Sequence, residues 1–178
     1  VWILCAWLIA DLISGVVHWA EDRYFDGRSG IRFLDAIAED NKIHHLDPQF
    51  MLNDTYFGNI KGSVWLAAPL AAGLYALAAP ATLVLAVVFA AFGNLVHRFT
   101  HERTKAVPAP VRWLQAIGLF SQPKHHAEHH WANGALVYKN HASRNFCAMT
   151  TWLNPILDRI GLWQFLDRVV AWALPSEE

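Results

Sequence analysis

Residues 62–96 form a run of 35 without one charged side chain. A membrane-spanning helix needs ~20 apolar residues, with a range of roughly 17–25. This run is too long for one span and sufficient for two short ones. Pro80 sits near its middle, between Ala78-Ala79 and Ala81-Thr82. Proline removes a backbone donor and clashes with the preceding turn. The run is therefore expected to fold as a tight helical hairpin with arms at 64–79 and 81–96. In lipid every backbone polar group must be satisfied internally, so both arms are expected to be helical.

Composition agrees. The chain is 54% apolar and 16% charged, with a mean hydropathy of +0.21, where an ordinary soluble domain carries about 25% charged residues. Disorder is excluded by that apolar content. Two cysteines, Cys5 and Cys147, cannot build a disulfide framework and are expected to be free packing residues. A net charge of −1 offers no basis for nucleic-acid binding. Residues 1–17 form a third apolar stretch, carrying Asp11 alone. It is expected to be a span rather than a signal peptide, because no basic leader precedes it and no small-residue cleavage site follows.

All 14 Lys and Arg lie at Arg23 or later, and none lies beside Pro80. The positive-inside rule then puts 18–62 and 97 onward in the cytoplasm, with every histidine on that side. Residues 21–42 read as a cytosolic connection with one short helix. Residues 152–174 have apolar Ile156, Ile160, Trp163, Val170 and Leu174 at helical spacing between charged residues, the pattern of a helix lying in the membrane interface. Residues 113–120 allow the same. Trp2, Trp7, Trp65, Trp113, Trp163 and Trp172 are expected to be interface anchors. The expected fold is a single domain over 1–178: an all-α, multi-pass membrane protein of a bacterial inner membrane. It has about three short spans, one plus a hairpin, with a cytosolic histidine-rich cap and interfacial amphipathic helices.

Ten histidines are the second anomaly. His125, His126, His129 and His130 give two pairs at i, i+4, the spacing that stacks side chains on one helix face. His97 and His101 repeat it, as do His18 and Asp22. His44 and His45 form a doublet, and His141 comes last. One tetrahedral site uses at most four protein ligands, so ten imidazoles point to two metals. Imidazole suits Zn, Cu, Fe and Ni. A neutral ligand set leaves positive charge on the metals, and open positions there allow O2 chemistry on an unactivated C–H bond. A site at the membrane surface can reach a lipid chain. Glu21, Asp22, Asp47, Glu102 and Glu128 are candidates to accept the ring N–H of the ligands. Asp11, costly within a span, is a candidate partner of His18.

These residues also carry a resemblance. His18-Trp19-Ala20-Glu21-Asp22 is similar to the HWxxD element of the Kua-type lipid desaturases. This family includes plasmanylethanolamine desaturase and a plant phosphatidylglycerol palmitate desaturase branch. His44-His45-Leu46-Asp47-Pro48 resembles its HHxDP element, His97–His101 its HxxxH, and Lys124–His130 its KHHxxHH. Phe146-Cys147 and Thr150–Asn154 resemble the stretch after the last histidine. The resemblance implies an O2-dependent di-iron desaturase acting on a membrane phospholipid chain near the glycerol backbone. In one branch the alkyl ether becomes the vinyl ether of a plasmalogen. It implies two iron ions, O2 as co-substrate, and an external electron donor of ferredoxin or cytochrome b5 type. It implies His18, His44, His45, His97, His101, His126, His129 and His130 as metal ligands that carry catalysis. His125 and His141 match the plasmanylethanolamine branch alone as further ligands. Asp22, Asp47 and Glu128 stand behind the ligands in this reading.

Two features depart from the family pattern. Leu52-Asn53-Asp54 lacks the family's histidine, and the loop 131–140 is longer than usual. Its Trp131, Leu136, Val137 and Tyr138 suit a substrate mouth or contact with the interface. Three other readings compete. A fatty-chain hydroxylase would use the same oxidant. A metal-dependent membrane hydrolase would need a general base such as Glu128. A bis-histidine haem protein or metal carrier would spread its histidines on facing spans.

Overall fold

The computed structural model describes residues 1–132, 135, 136, 138 and 144–173. Among them the chain is helical, save one two-residue strand pair. In order the helices are α1 (Trp2–Tyr24), α2 (Arg32–Leu46), α3 (Tyr56–Ala76), α4 (Ala81–Ala90), α5 (Gly93–His101), α6 (Ala109–Ala116), α7 (Pro123–His130), α8 (Asn154–Arg159) and α9 (Leu162–Ala173). A short 3-10 helix, Phe50–Asn53, links α2 to α3. Strands β1 (Trp131–Ala132) and β2 (Ala135–Leu136) pair antiparallel after α7.

The hairpin forms, with different limits. Its first arm starts at Tyr56, because Thr55 Oγ1 accepts the Gly58 amide at 2.9 Å and caps the helix. It ends before Pro80. Ala78 takes φ 54°, and the Ala78 and Ala79 amides close back on Tyr75 and Leu74 carbonyls at 3.0 and 2.9 Å. That is a Schellman ending, in which a left-handed residue stops the helix. Pro80 then caps α4, and Pro69 is accommodated inside α3. A left-handed alanine is strained by roughly 1–2 kcal/mol. Ala78→Gly is therefore expected to raise stability by about 1 kcal/mol, read as an upward shift of the thermal midpoint. A fall would show that the turn does not limit stability.

The second arm breaks at Ala91-Phe92 into α4 and α5. The pair is bent by 40° and meets the length and apolarity of a span only as a unit. Among the described residues α1 alone meets both by itself. α4 packs against both α1 and α3. The Trp7 and Phe89 rings lie 5.5 Å apart, and those of His18 and His97 5.6 Å. α1 and the α4–α5 pair therefore run in the same direction and carry their histidines to the same end. Apolar residues such as Trp2, Val17, Trp65, Leu70 and Val88 are exposed on the outer faces of these helices.

Past residue 17 the first apolar helix continues to Tyr24, which brings His18 and Asp22 onto the helix itself. The doublet His44-His45 forms the last turn of α2. Residues 152–173 do not form one interfacial helix, and Leu174 lies outside the described residues. Gly161, at φ 70°, divides them into α8 and α9. Trp163 is fully buried in a cluster with Trp19, Phe146 and Cys147, so it is a core residue and not an interface anchor. Its Nε1 donates to Asp158 at 2.8 Å, while Trp19 Nε1 donates to Asp167 at 3.1 Å. These contacts clamp α8 and α9 onto the end of α1. Trp7 is also held inside the protein, stacked on Phe120 at 5.4 Å and donating to the Leu119 carbonyl. Trp2, Trp65, Trp113 and Trp172 are exposed. Cys5 and Cys147 are both free, the first exposed and the second buried.

Candidate metal centre

Among the described residues, four helices bring nine potential ligands together, in two adjacent groups. One holds His44, His97, His101, His126 and His130. The other holds His18, Asp22, His45 and His129. In each group every residue offers a donor atom within 4.8 Å of all the others. Helix geometry explains the sorting. Residues at i, i+4 share a face and go to the same group: His97 with His101, His126 with His130, His18 with Asp22. Consecutive residues diverge by about 100°, so His44 and His45 serve different groups, as do His129 and His130. α2 and α7 thereby contribute to both.

Spacing within the first group fits a metal. His97 Nε2 lies 3.1 Å from His44 Nε2, 2.7 Å from His126 Nε2 and 3.1 Å from His101 Nε2, while His126 and His130 Nε2 are 2.9 Å apart. Two nitrogens bound at right angles to one ion, each about 2.1 Å away, lie about 3 Å apart. A neutral imidazole has one N–H, so a knot of five Nε2 atoms cannot be satisfied by hydrogen bonds alone. All of these rings are buried except His101, which is half-buried.

The second group includes a carboxylate. Asp22 Oδ1 lies 3.0 Å from His45 Nε2, and its Oδ2 lies 3.1 Å from His129 Nε2. Asp22 Oδ2, His129 Nε2 and His18 Nε2 are buried without a partner in hydrogen-bond geometry. Side by side and unpaired, they suit an ion that accepts electron pairs from all three. The far nitrogens of two rings are fixed. His18 Nδ1–H donates to the Phe146 carbonyl at 3.0 Å and His129 Nδ1–H to the Arg144 carbonyl at 2.7 Å. That tautomer leaves each Nε2 lone pair facing the group. Asn41 Nδ2 donates to Asp22 Oδ1 at 2.9 Å and orients the carboxylate.

Both carbonyls belong to one strap, residues 144–150, which is held from several sides. Asp11 Oδ1 accepts the Met149 and Thr150 amides at 2.9 and 3.1 Å, and its Oδ2 accepts the Thr150 hydroxyl at 2.6 Å. Asn154 bonds both backbone groups of Cys147. Asp11 is therefore an anchor for the strap and not a partner of the His18 ring. On the other side of the centre, buried Arg98 donates to the carbonyls of Met51, Leu52 and Asp54 and pairs with Glu102 at 2.9 Å. It ties the 3-10 segment to α5 beside His97.

Several expected residues lie elsewhere. His125 belongs to neither group; the backbone carbonyl of His125 accepts from Asn145 Nδ2 instead. Asp47 is exposed, its Oδ1 accepting the Gln49 amide. Glu128 is exposed and pairs with Arg144 at 3.4 Å. Glu102 serves Arg98, and half-buried Glu21 is in neither group. His141 and Val137 lie outside the described residues. Tyr138 lies against His45, with ring centroids 5.7 Å apart. Asp22 is promoted from a supporting acceptor to a member of the donor set. Its i, i+4 relation to His18 is the sign that gives it away in sequence, because the two imidazole pairs of the other group share it.

A family model described as a lipid desaturase domain matches residues 7–176. The chain belongs to this lipid desaturase family. Among its relatives, a probable fatty acid desaturase of Acanthamoeba polyphaga mimivirus is 27% identical over 94% of this chain and 80% of its own length. The plasmanylethanolamine desaturase of Myxococcus xanthus is 25% identical over 99% of this chain and 63% of its own. Fatty acid desaturase 4-like 2 of Arabidopsis thaliana is 27% identical over 92% of this chain and 57% of its own. The chain thus spans most of the viral relative and about three fifths of the other two. No solved structure matches it.

Burial, then neighbouring imidazoles, holds His44, His126 and His130 well below the ordinary imidazole value of 6.5. The rings are neutral in the fold, ready to bind metal. In the metal-free protein the unfolded chain takes up protons first as pH falls. Stability is therefore expected to drop as pH falls through ~6.5 and to level off above it. Thermal unfolding of chelator-treated protein on both sides of that pH checks this. A flat profile would show that the rings are hydrated.

Proposed function

We propose that the chain is an O2-dependent, di-iron desaturase of a membrane phospholipid chain, reacting near the glycerol backbone. An alkyl-ether phospholipid converted to its vinyl ether is the substrate to test first. The observation that carries this reading is the pair of adjacent donor groups, five imidazoles beside three imidazoles and Asp22. A hydrolase needs one activated water and a base, and Glu128 points away from both groups toward Arg144. Facing haem ligands would not interlock at 2.7–3.1 Å.

Two irons held here would supply the activation of O2 needed to break unactivated C–H bonds. The saturated pair of carbons gives up two hydrogens with two electrons and becomes a double bond. O2 takes four electrons and leaves as two waters, so two further electrons and two protons must come from outside. A ferredoxin or cytochrome b5 type donor is the proposed source. The protein's part is to hold the donor atoms. The strap carbonyls fix the His18 and His129 tautomers, Asn41 fixes Asp22, and burial keeps bulk water from the rings. His18, His44, His45, His97, His101, His126, His129 and His130, with Asp22, are the proposed ligands. α1, α3 and the α4–α5 pair are the proposed spans, with the arginine- and lysine-bearing histidine end in the cytoplasm of a bacterial inner membrane.

Lipid mass spectrometry of cells with and without the gene tests the reading, with acid release of aldehydes to reveal vinyl ethers. A new double bond is expected, and none with His129→Ala. Hydroxylated lipid instead would identify a hydroxylase, and unchanged lipid with full iron loading would overturn the substrate.

A further inference from the structure

Between His101 and His126, both in the first donor group, the chain leaves the metal centre and comes back to it. Midway it touches the far part of α1. The Leu119 carbonyl accepts from Trp7 Nε1 at 3.0 Å, and the Phe120 ring stacks on the Trp7 ring at 5.4 Å. Trp7 lies about 16 Å from His18 along the helix axis. The strap makes a second, shallower excursion. The Phe146 carbonyl accepts from His18, the Met149 and Thr150 amides donate to Asp11, and Trp163 is back beside Trp19. Asp11 lies about 10 Å from His18 along the axis. The two excursions join where the Thr151 amide donates to the Gly118 carbonyl at 3.0 Å and Trp152 Nε1 to the Ile117 carbonyl at 3.1 Å.

Both stretches are built inside out for water. Residues 113–123 and 145–157 carry no charged side chain. Apolar runs of roughly 10–14 residues are too short to span a bilayer and suit a buried or a re-entrant segment. Exposure decides between the two. Trp113 is 63% exposed, Ile117 45%, Trp152 40% and Ile156 58%, whereas Gln115, Ser121, Thr150 and Asn154 are buried. The apolar side faces out and the polar side in, the reverse of a water-facing helix. Non-helical backbone survives at membrane depth only where protein satisfies it. Here the carbonyls of Ile117, Gly118, Leu119 and Ser121 all accept, the last from Gln115 Nε2 at 3.2 Å. Cations stand at the entrance. Arg103 and Lys105 precede α6, and Arg112 donates back to the Val107 carbonyl at 2.6 Å.

We propose that residues 109–121 and 148–156 form a re-entrant element immersed in the leaflet on the histidine side, with Trp113, Ile117, Trp152 and Ile156 against the lipid chains. The proposal rests on the reading of α1 as a span, because α1 sets the depth. It puts part of the chain beyond residue 97 inside the bilayer rather than in the cytoplasm. It also gives Asp11 its place. A carboxylate at that depth is costly unless it is bonded, and the element brings it two amides and a hydroxyl.

The test uses the zinc-loaded full chain in phosphatidylcholine vesicles, with a nitroxide on one introduced cysteine at a time. The parent carries Cys5→Ser, and Cys147 is buried. Ile117→Cys and Ile156→Cys probe the element. Leu12→Cys, on α1 next to Asp11, is the lipid reference, and Lys105→Cys is the water reference. Collisions with O2 report lipid, and collisions with chromium oxalate report water. Both element sites are expected to lose collisions with chromium oxalate and gain those with O2, reaching the ratio seen at Leu12→Cys. Zinc content equal to the parent's shows that each variant is folded. A ratio at either element site like that of Lys105→Cys, or one midway between the references, as at the headgroups, would overturn the immersion and leave α1 a span. A water-like ratio at Leu12→Cys as well would overturn the span itself, and the element with it.

Discussion

Asp22→Ala is expected to abolish turnover and to release the metal of one group while the other keeps its own. The carboxylate is the one anionic member of the nine, and it touches His45 at 3.0 Å and His129 at 3.1 Å. Removing it leaves three imidazoles that diverge toward water or toward each other. Losing an anionic ligand typically costs far more than losing a supporting hydrogen bond, which weakens metal binding about 10–100-fold. Asn41→Ala removes only such a support, since its Nδ2 donates to Asp22 Oδ1. It is expected to lower metal affinity within that 10–100-fold range and to leave activity at saturating iron. Metal analysis and turnover of the two variants read this out. If Asp22→Ala keeps its full metal complement, the carboxylate is no ligand.

The second large effect is remote from the metals. Asp11→Ala strips the acceptor from two amides and a hydroxyl, all in the buried strap that supplies the carbonyls for His18 and His129. Buried donors left unpaired cost about 1–3 kcal/mol each. The expected loss is on the order of 3–5 kcal/mol, with weakened metal binding in the Asp22 group as its companion. Asp11→Asn keeps an oxygen for the Met149 and Thr150 amides, and its NH2 can donate to the Thr150 oxygen. It should retain most of both. The comparison is made by thermal unfolding with and without metal. Equal behaviour of the two variants would show that the charge, and not the acceptor geometry, fixes the strap.

Much of this was legible along the chain. The uncharged run pointed to the hairpin, and the doublets and i, i+4 pairs pointed to clustered potential ligands, because helical spacing is local. What was hidden is long-range. The strap reaches Asp11 across 139 residues, and its carbonyls reach His18 across 128. No pattern in sequence announces a backbone acceptor. His125 and His129 satisfy the same spacing rule as His126 and His130, yet only the second pair shares a group. Spacing says which rings share a face, and packing decides which face turns inward. Periodicity likewise joined Ile156, Ile160 and Trp163 into one stripe, although Gly161 breaks the helix between them and only Trp163 is fully buried. The end of α3 was misplaced because a left-handed alanine stops a helix as a proline does, without the sequence saying so.

The metal content of the purified, folded chain after expression with ample iron reaches the core of this account most directly. Two donor groups predict two irons per chain. One iron or fewer, or a single zinc in their place, would contradict it.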